Sequence, residues 1–278
     1  MKNEWGFNGF ISTDWMYGIY NGVEAINAGL NVEMPWQDEY SYNTIRNGLE
    51  EGKITLENID ELVLSTLKTR LKYAFSYDSI DYNHELILNK SHVNLARKVA
   101  EESMVLIKNE NILPFELKEN LKIGVIGRLA DTENTGDLGS SNSNPPYVVT
   151  PFQGIKNYHI NNNNKVYFDR ADDINKSIEL AKELDQVILI VGYDYSDEGE
   201  YIMSRGQMLK SAEAKKLIGA KGVGGDRLTL KLRDEDEILI NEISKVNDNI
   251  VVVYVGGSAI DMSSWESNVP SIIFSWYS

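Results

Sequence analysis

Apolar residues in this chain follow two rhythms: short uninterrupted runs, and longer stripes with a helical period. In the second half, the runs at 121–126, 187–191, 250–255 and 271–274 are mostly apolar, as strands buried on both faces must be. Amphipathic stretches near 173–184 and 234–246 lie between them. Strands alternating with helices predict an α/β fold with an open, mostly parallel sheet flanked by helices. Two long irregular segments interrupt the pattern: 129–154, rich in Gly, Ser, Asn and Pro, and 194–226. Loops of that length in a compact domain are usually functional or disordered. The polar tract at 161–164 reads as a turn.

The first half is more punctuated. Phe10-Ile11-Ser12 reads as a strand ending on Thr13-Asp14-Trp15, residues 23–28 as a helix stopped by Gly29, and residues 30–34 as a second strand halted by Pro35. Strand, helix and strand at this spacing suggest a parallel crossover unit. From Thr55, an expected N-cap, the positions Ile59, Leu62, Val63, Leu67, Leu71, Ala74 and Phe75 form one helical stripe that must cover something apolar. Residues 77–90 carry no period and read as a linker. Ser91 is then expected to cap a helix running through Leu95, Val99 and Val105 to Leu106, closing at Asn109-Glu110-Asn111 ahead of Leu113-Pro114.

Charge narrows the function. Among 278 residues, 42 acidic side chains outnumber 27 basic ones and give a formal net charge of −15. Such a surface repels phosphate backbones and anionic lipid, so nucleic acid and membrane are not expected partners. With 42% apolar and 25% charged residues the composition is that of a globular protein. There is no cysteine, hence no disulfide frame, thiolate nucleophile or cysteine metal site. His84, His92 and His159 lack ligand spacing, so no metal is expected. No apolar run approaches the roughly 18 to 20 residues that span a bilayer, and the first residues lack the apolar stretch of a signal peptide, which reads as a cytoplasmic chain.

Any catalysis must therefore draw on carboxylates, hydroxyls or amides. Asp14 sits at the carboxyl end of a strand, where parallel α/β folds bind ligands, and Trp15 beside it offers a platform for a sugar ring. The plainer reading is an Asp that caps the following helix. The second candidate is the segment 193–201, which leaves the strand at 187–191 with Asp194, Asp197, Glu198 and Glu200 close together. Crowded carboxylates raise one another's pKa, which suits a general acid. A solvated acidic loop is the plainer alternative, and a calcium loop fails on spacing. Gly222-Val223-Gly224-Gly225 does not complete a phosphate-binding loop, Gly256-Gly257-Ser258 reads as close backbone packing, and Ser140-Ser141 has no histidine nearby.

Gly9-Phe10-Ile11-Ser12-Thr13-Asp14-Trp15, with Lys2 and Glu4 before it and Ala28-Gly29-Leu30-Asn31-Val32-Glu33-Met34-Pro35 after it, resembles the nucleophile region of glycoside hydrolase family 3, the β-glucosidase and β-xylosidase family. Ser103-Met104-Val105-Leu106-Ile107-Lys108-Asn109-Glu110 with Leu113-Pro114 is similar to the opening of that family's second domain. Pro145-Pro146-Tyr147-Val148-Val149-Thr150-Pro151 resembles a loop of its β-glucosidases, and Gly256-Gly257-Ser258-Ala259 with Trp276-Tyr277 resembles its later strands.

The resemblance implies Asp14 as nucleophile and Trp15 as the aromatic platform beside the cleaved bond. Gly199-Glu200-Tyr201 and Gly225-Asp226-Arg227 match the two pieces of the acid/base motif, which gives Glu200 that role; Glu198 takes it if the motifs are offset. It implies release of terminal non-reducing β-D-glucosyl residues, with β-xylosidase activity or a non-catalytic sugar-binding module as alternatives, and needs no cofactor. A flavodoxin-like nucleotide-binding domain is the remaining fold analogy, without a phosphate loop to support it. A (β/α)8 barrel takes roughly 200 residues or more, so residues 1–76 would be the last βα units of one, 77–90 a linker, and 91–278 most of an α/β sandwich domain. On this reading the chain is an internal piece of a longer enzyme and has little activity alone.

Overall fold

The computed structural model describes residues 1–14, 18–76, 83–116, 118–136, 143–160, 163–198, 227 and 229–277. The chain divides into two compact units, Met1–His84 and Glu85–Ser278.

In the first unit, α1 (Lys2–Trp5) precedes a short extended segment, followed by α2 (Gly22–Asn27), α3 (Tyr42–Glu50) and α4 (Leu56–Ala74). The two expected strands meet in a single parallel bridge between Ser12 and Val32, with α2 between them as expected. Asn31 stitches this bridge to α4: its Oδ1 accepts from the Ile11 amide (2.9 Å), and its Nδ2 donates to the Leu62 carbonyl (2.7 Å) and Ser65 Oγ (2.6 Å). Thr55 caps α4 through a reciprocal capping box with Asn58, which satisfies donors the first turn leaves free. Ile26, Ile54 and Leu62 form a small core. Of the expected stripe on α4, Val63, Leu67, Leu71 and Phe75 stay exposed.

The second unit opens with α5 (Lys90–Ser103), then β1 (Val105–Asn109), β2 (Lys122–Ile126), α6 (Pro151–His159), β3 (Lys165–Asp169), α7 (Ile174–Lys182), β4 (Gln186–Gly192), α8 (Tyr195–Glu198), α9 (Asp234–Ile243), β5 (Ile250–Val255) and β6 (Ser271–Trp276). The strands form one sheet in the order β1-β6-β5-β4-β2-β3, parallel throughout except for β1, which pairs antiparallel with β6 at the edge. Along β4, Val187, Leu189 and Val191 face a core shared with Leu239, Ile240 and Ile243 of α9, while Ile190 faces Val125, Leu129 and Ala130. Both faces of the central strands are therefore dry, which is why their sequence is an unbroken apolar run rather than an alternation.

Two local expectations give way. Asn89 caps α5, with its Oδ1 accepting from the His92 amide (2.9 Å); Ser91 lies in the first turn and donates to that same Oδ1. The helix also ends at Ser103 rather than running to Leu106, because Val105-Leu106-Ile107 pairs with β6. Sheet pairing of a β-branched run overrides the helical spacing. Within the segment read as irregular, α6 already begins at Pro151, capped by Thr150. The strand β3 was not legible as an apolar run because it lies on an edge and is only partly buried.

Candidate active site

Two glycines end neighbouring strands at one edge of the sheet. Gly127, after β2, has φ +131°, and a Cβ there would stand 2.2 Å from the Ile190 carbonyl oxygen; Gly192, ending β4, has φ +126° and would meet the Val255 oxygen at 2.0 Å. Neither place admits a side chain. Beyond them the chain leaves β2 toward α6 and β3 on one side, and β4 toward β5 on the other. This is the switch point at which open parallel sheets bind ligands, on the carboxyl side of the strands.

Charged groups fill that edge. Arg128 pairs with Asp194 and donates from Nη2 to the Gly192 carbonyl at 2.8 Å. Arg233, the residue preceding α9, forks onto Asp197, with Nε to Oδ1 at 2.9 Å and Nη2 to Oδ2 at 2.7 Å, and also donates to Ser196 Oγ at 2.7 Å. Burial pushes the Asp194 carboxyl up, but the bonds from Ser196 and the charge of Arg128 outweigh it and hold it below the usual range. Asp236, in the first turn of α9, is only 3% exposed and accepts from the Gly192 amide at 3.2 Å. Burial pushes its carboxyl up to about 6, against the Gly192 bond and the charges of Arg128 and Arg233.

Beside this network lies a second one. Glu198 accepts from Arg227 Nε at 2.6 Å, from the Gly257 amide at 3.2 Å and from the Tyr277 hydroxyl. The Arg227 guanidinium lies 4.2 Å from the Tyr193 ring centroid and also donates to Ser258 Oγ. Tyr254 stacks on Phe274 with centroids 4.9 Å apart, and Phe274 meets Trp276 at 4.2 Å with the rings tilted by 36°. The edge thus carries an acidic segment held by arginines beside a cluster of aromatic rings. Gly256 fits the close-packing reading, since a Cβ would stand 2.1 Å from Tyr254 Oη.

In the first unit, Asp14 is exposed and follows Thr13, which is buried. The Thr13 amide donates to the Val32 carbonyl at 2.9 Å, and its Oγ1 accepts from the Met34 amide at 2.8 Å. Those bonds fix the backbone from which Asp14 projects at the carboxyl end of the bridge. Gly18 lies close against it: a Cβ there would stand 2.5 Å from Thr13 Cβ. Among the described residues, no group of His, Cys, Asp and Glu is placed to hold a metal ion, and no helix is long and apolar enough to cross a membrane. An apolar groove of about 310 Å³ lined by Ile59, Leu62, Val63 and Leu67, and another of about 530 Å³ lined by Leu95, Val99 and Trp276, contain none of the candidate carboxylates.

Trp15, Glu200, Gly199, Tyr201, Asp226, Ser140, Ser141 and Gly222 through Gly225 lie outside the described residues. Asp194, Asp197 and Glu198 from the acidic segment are brought together at the sheet edge. Sequence reading missed Arg128, Arg233 and Asp236. Their signal was positional: Arg128 follows a strand and a glycine directly, and Arg233 and Asp236 open a helix.

Residues 104–278 match the glycosyl hydrolase family 3 C-terminal domain. The chain is 27% identical over 290 residues to thermostable β-glucosidase B of Acetivibrio thermocellus, covering 98% of this chain and 33% of that protein. It is also 27% identical over 292 residues to an exo-α-(1→6)-L-arabinopyranosidase of Bifidobacterium breve, covering 99% of this chain and 34% of that one. Its fold superposes on the crystal structure of a Bifidobacterium adolescentis GH3 β-glucosidase with a TM-score of 0.71, at 26% identity, across 99% of this chain and 37% of that chain. The chain thus spans about a third of the length of the curated relatives it matches. Since the domain match takes in more than half of its residues, the chain belongs to glycosyl hydrolase family 3.

Proposed function

We propose that this chain carries the two catalytic carboxylates of a retaining glycoside hydrolase that releases terminal non-reducing β-D-glucosyl residues, acting as part of a longer polypeptide. The observation that carries the reading is the alignment to a β-glucosidase across 98% of the chain. Asp14 would attack the anomeric carbon to form a glycosyl-enzyme ester. Glu200 would protonate the departing oxygen and then activate the water that cleaves the ester, which requires the two carboxyl groups to stand about 5 to 5.5 Å apart. Trp15 would stack on the sugar next to the cleaved bond. The role of residues 1–76 would be that of the last βα units of a (β/α)8 barrel; the parallel Ser12–Val32 bridge with α2 between its strands, and the exposed stripe on α4, support this. Residues 77–90 would serve as the linker to the sheet domain.

A second reading gives the acid/base role to Glu198. In its favour, the carboxylate sits at the sheet's carboxyl edge and is bound to Arg227, the arginine of the Gly-Asp-Arg piece. Hydrolysis of aryl β-glucosides by the whole polypeptide tests both. Asp14→Ala is expected to lose turnover on every substrate. Of Glu200→Gln and Glu198→Gln, the true acid/base variant keeps most of its first step on a 2,4-dinitrophenyl glucoside and regains turnover with added azide. Wild-type-like hydrolysis by Asp14→Ala would overturn the assignment.

A further inference from the structure

We infer that Arg233, together with Arg128, positions the acid/base segment by holding α8, the short helix at its head, in one orientation; this rests on the reading of that segment given above. The helix α8 is four residues long and buries none of them. With none of its residues buried, it is held largely by polar contacts: Arg227, the Gly257 amide and the Tyr277 hydroxyl on Glu198 at its end, and the two arginines at its start. Arg233 grips it with a planar fork on Asp197 and a third bond to Ser196. Arg128 grips the residue before it, Asp194, while bonding to the Gly192 carbonyl where β4 ends.

The two arginines come from different places, one directly after β2 and the other directly before α9, so the acidic segment is held from two sides. Their own supports are rigid. Asp236 of α9 accepts from the Gly192 amide, which ties the helix carrying Arg233 to the end of β4. The side chains of Arg128, Asp194 and Asp197 are 17%, 12% and 13% exposed, and that of Arg233 is 23% exposed. Removing one member leaves an uncompensated charge in a half-dry site, so the geometry has one strongly preferred arrangement. A lysine cannot replace the fork, because it offers a point charge where Asp197 receives two parallel bonds.

A misaimed acid affects only the step that needs protonation. The cleavage of a poor leaving group depends on the general acid, whereas 2,4-dinitrophenolate departs without help. The test compares kcat/KM of the whole polypeptide on phenyl and 2,4-dinitrophenyl β-glucosides for Arg233→Met, Arg233→Lys and the near-isosteric Asp197→Asn. Hydrogen exchange at residues 194–198 is measured in parallel. The expected result for Arg233→Met and Asp197→Asn is a loss of about tenfold or more on the phenyl glucoside against less than about threefold on the dinitrophenyl glucoside. Arg233→Lys should fall between, and the amides of Ser196 to Glu198 should exchange faster while those of β4 do not. Should Arg233→Met fail to fold, Asp197→Asn carries the same comparison.

Glu198→Gln and Glu200→Gln, run beside them, separate two failures. If one of them shows the leaving-group selectivity and the arginine and aspartate variants lower both substrates equally, the positioning role is wrong. If neither glutamate variant shows it, the acid/base reading of the segment falls and the positioning role with it.

Discussion

On β4, Val187, Leu189 and Val191 are buried on one side of the sheet and Ile190 on the other, and helices α7 and α9 close over the first of these faces. In Met1–His84, by contrast, the buried apolar residues are Ile26, Ile54 and Leu62, while Leu67 and Leu71 are about half exposed at 48% and 52% and Phe75 is 83% exposed. Both units carry regular amphipathic elements. They differ in how much of the apolar surface at their centre finds a partner within the unit. The lesson is that periodicity reports what an element is built to cover and says nothing of where the cover comes from. The central strands of the sheet unit are covered by its own helices, although α5 and β1 at its margin leave Leu95, Val99 and Leu106 exposed; in the other unit local polar bonds, such as those of Asn31 and the capping box of Thr55, tie the elements together.

The sharpest way to break this contrast is to truncate equivalent residues in the two units. Ile240→Ala, in a site with no exposure, should cost about 3 to 4 kcal/mol by denaturant titration of the sheet unit's transition. Equal tolerance of Ile240→Ala and Leu67→Ala would erase the distinction.

Next in size is Asp236→Asn. Because the folded carboxyl is raised to about 6 from 3.8, the native state binds its proton more tightly than the unfolded chain. The contribution of this group to stability is thus fully present at low pH and is lost as pH rises between about 4 and 6. An amide in its place can still accept from Gly192, so Asp236→Asn is expected to gain on the order of 2 kcal/mol at pH 7 and to flatten the profile between pH 4 and 6. Thermal unfolding at several pH values checks this, and a variant less stable at pH 7 than the parent would contradict it.

Asn31→Ala should destabilise the first unit by about 1 to 3 kcal/mol, since it orphans the Ile11 amide and removes the side chain that ties it to α4 at Leu62 and Ser65. Unchanged exchange protection of the Ile11 and Val32 amides in this variant would show that the bridge does not depend on it. The smallest effect is expected for Leu67→Ala, within about 0.5 kcal/mol, as for other exposed positions. Binding of a hydrophobic dye should fall in this variant, and a stability loss of several kcal/mol would mean that the stripe is covered after all.

Much of the sheet unit was legible because its strands are dry on both faces: the run at 250–255 matches β5 residue for residue. Val105-Leu106-Ile107 misled because apolar residues spaced for a helix can equally lie on a strand, and only the partner β6 decides. The edge strand β3 carries a mixed sequence and gave no signal. For the site, the carboxylates could be read from composition and position, with Asp14 at a strand end and Asp194 to Glu198 after another. The arginines could not, because Arg128 and Arg233 lie 66 and 36 residues from the aspartates they hold and meet them only through the order of the sheet. Asp236 is one of four acidic residues in the first turn of α9, and what sets it apart is its bond to the Gly192 amide, a contact between distant segments.

The most direct measurement is covalent trapping. The whole polypeptide is incubated with a 2-deoxy-2-fluoro-β-D-glucoside bearing a 2,4-dinitrophenyl leaving group, then digested and sequenced by tandem mass spectrometry. A retaining mechanism through Asp14 predicts one fluoroglucosyl adduct, on the peptide containing Thr13 and Asp14, absent from Asp14→Ala. An adduct on any other residue in a protein that hydrolyses β-glucosides would contradict it.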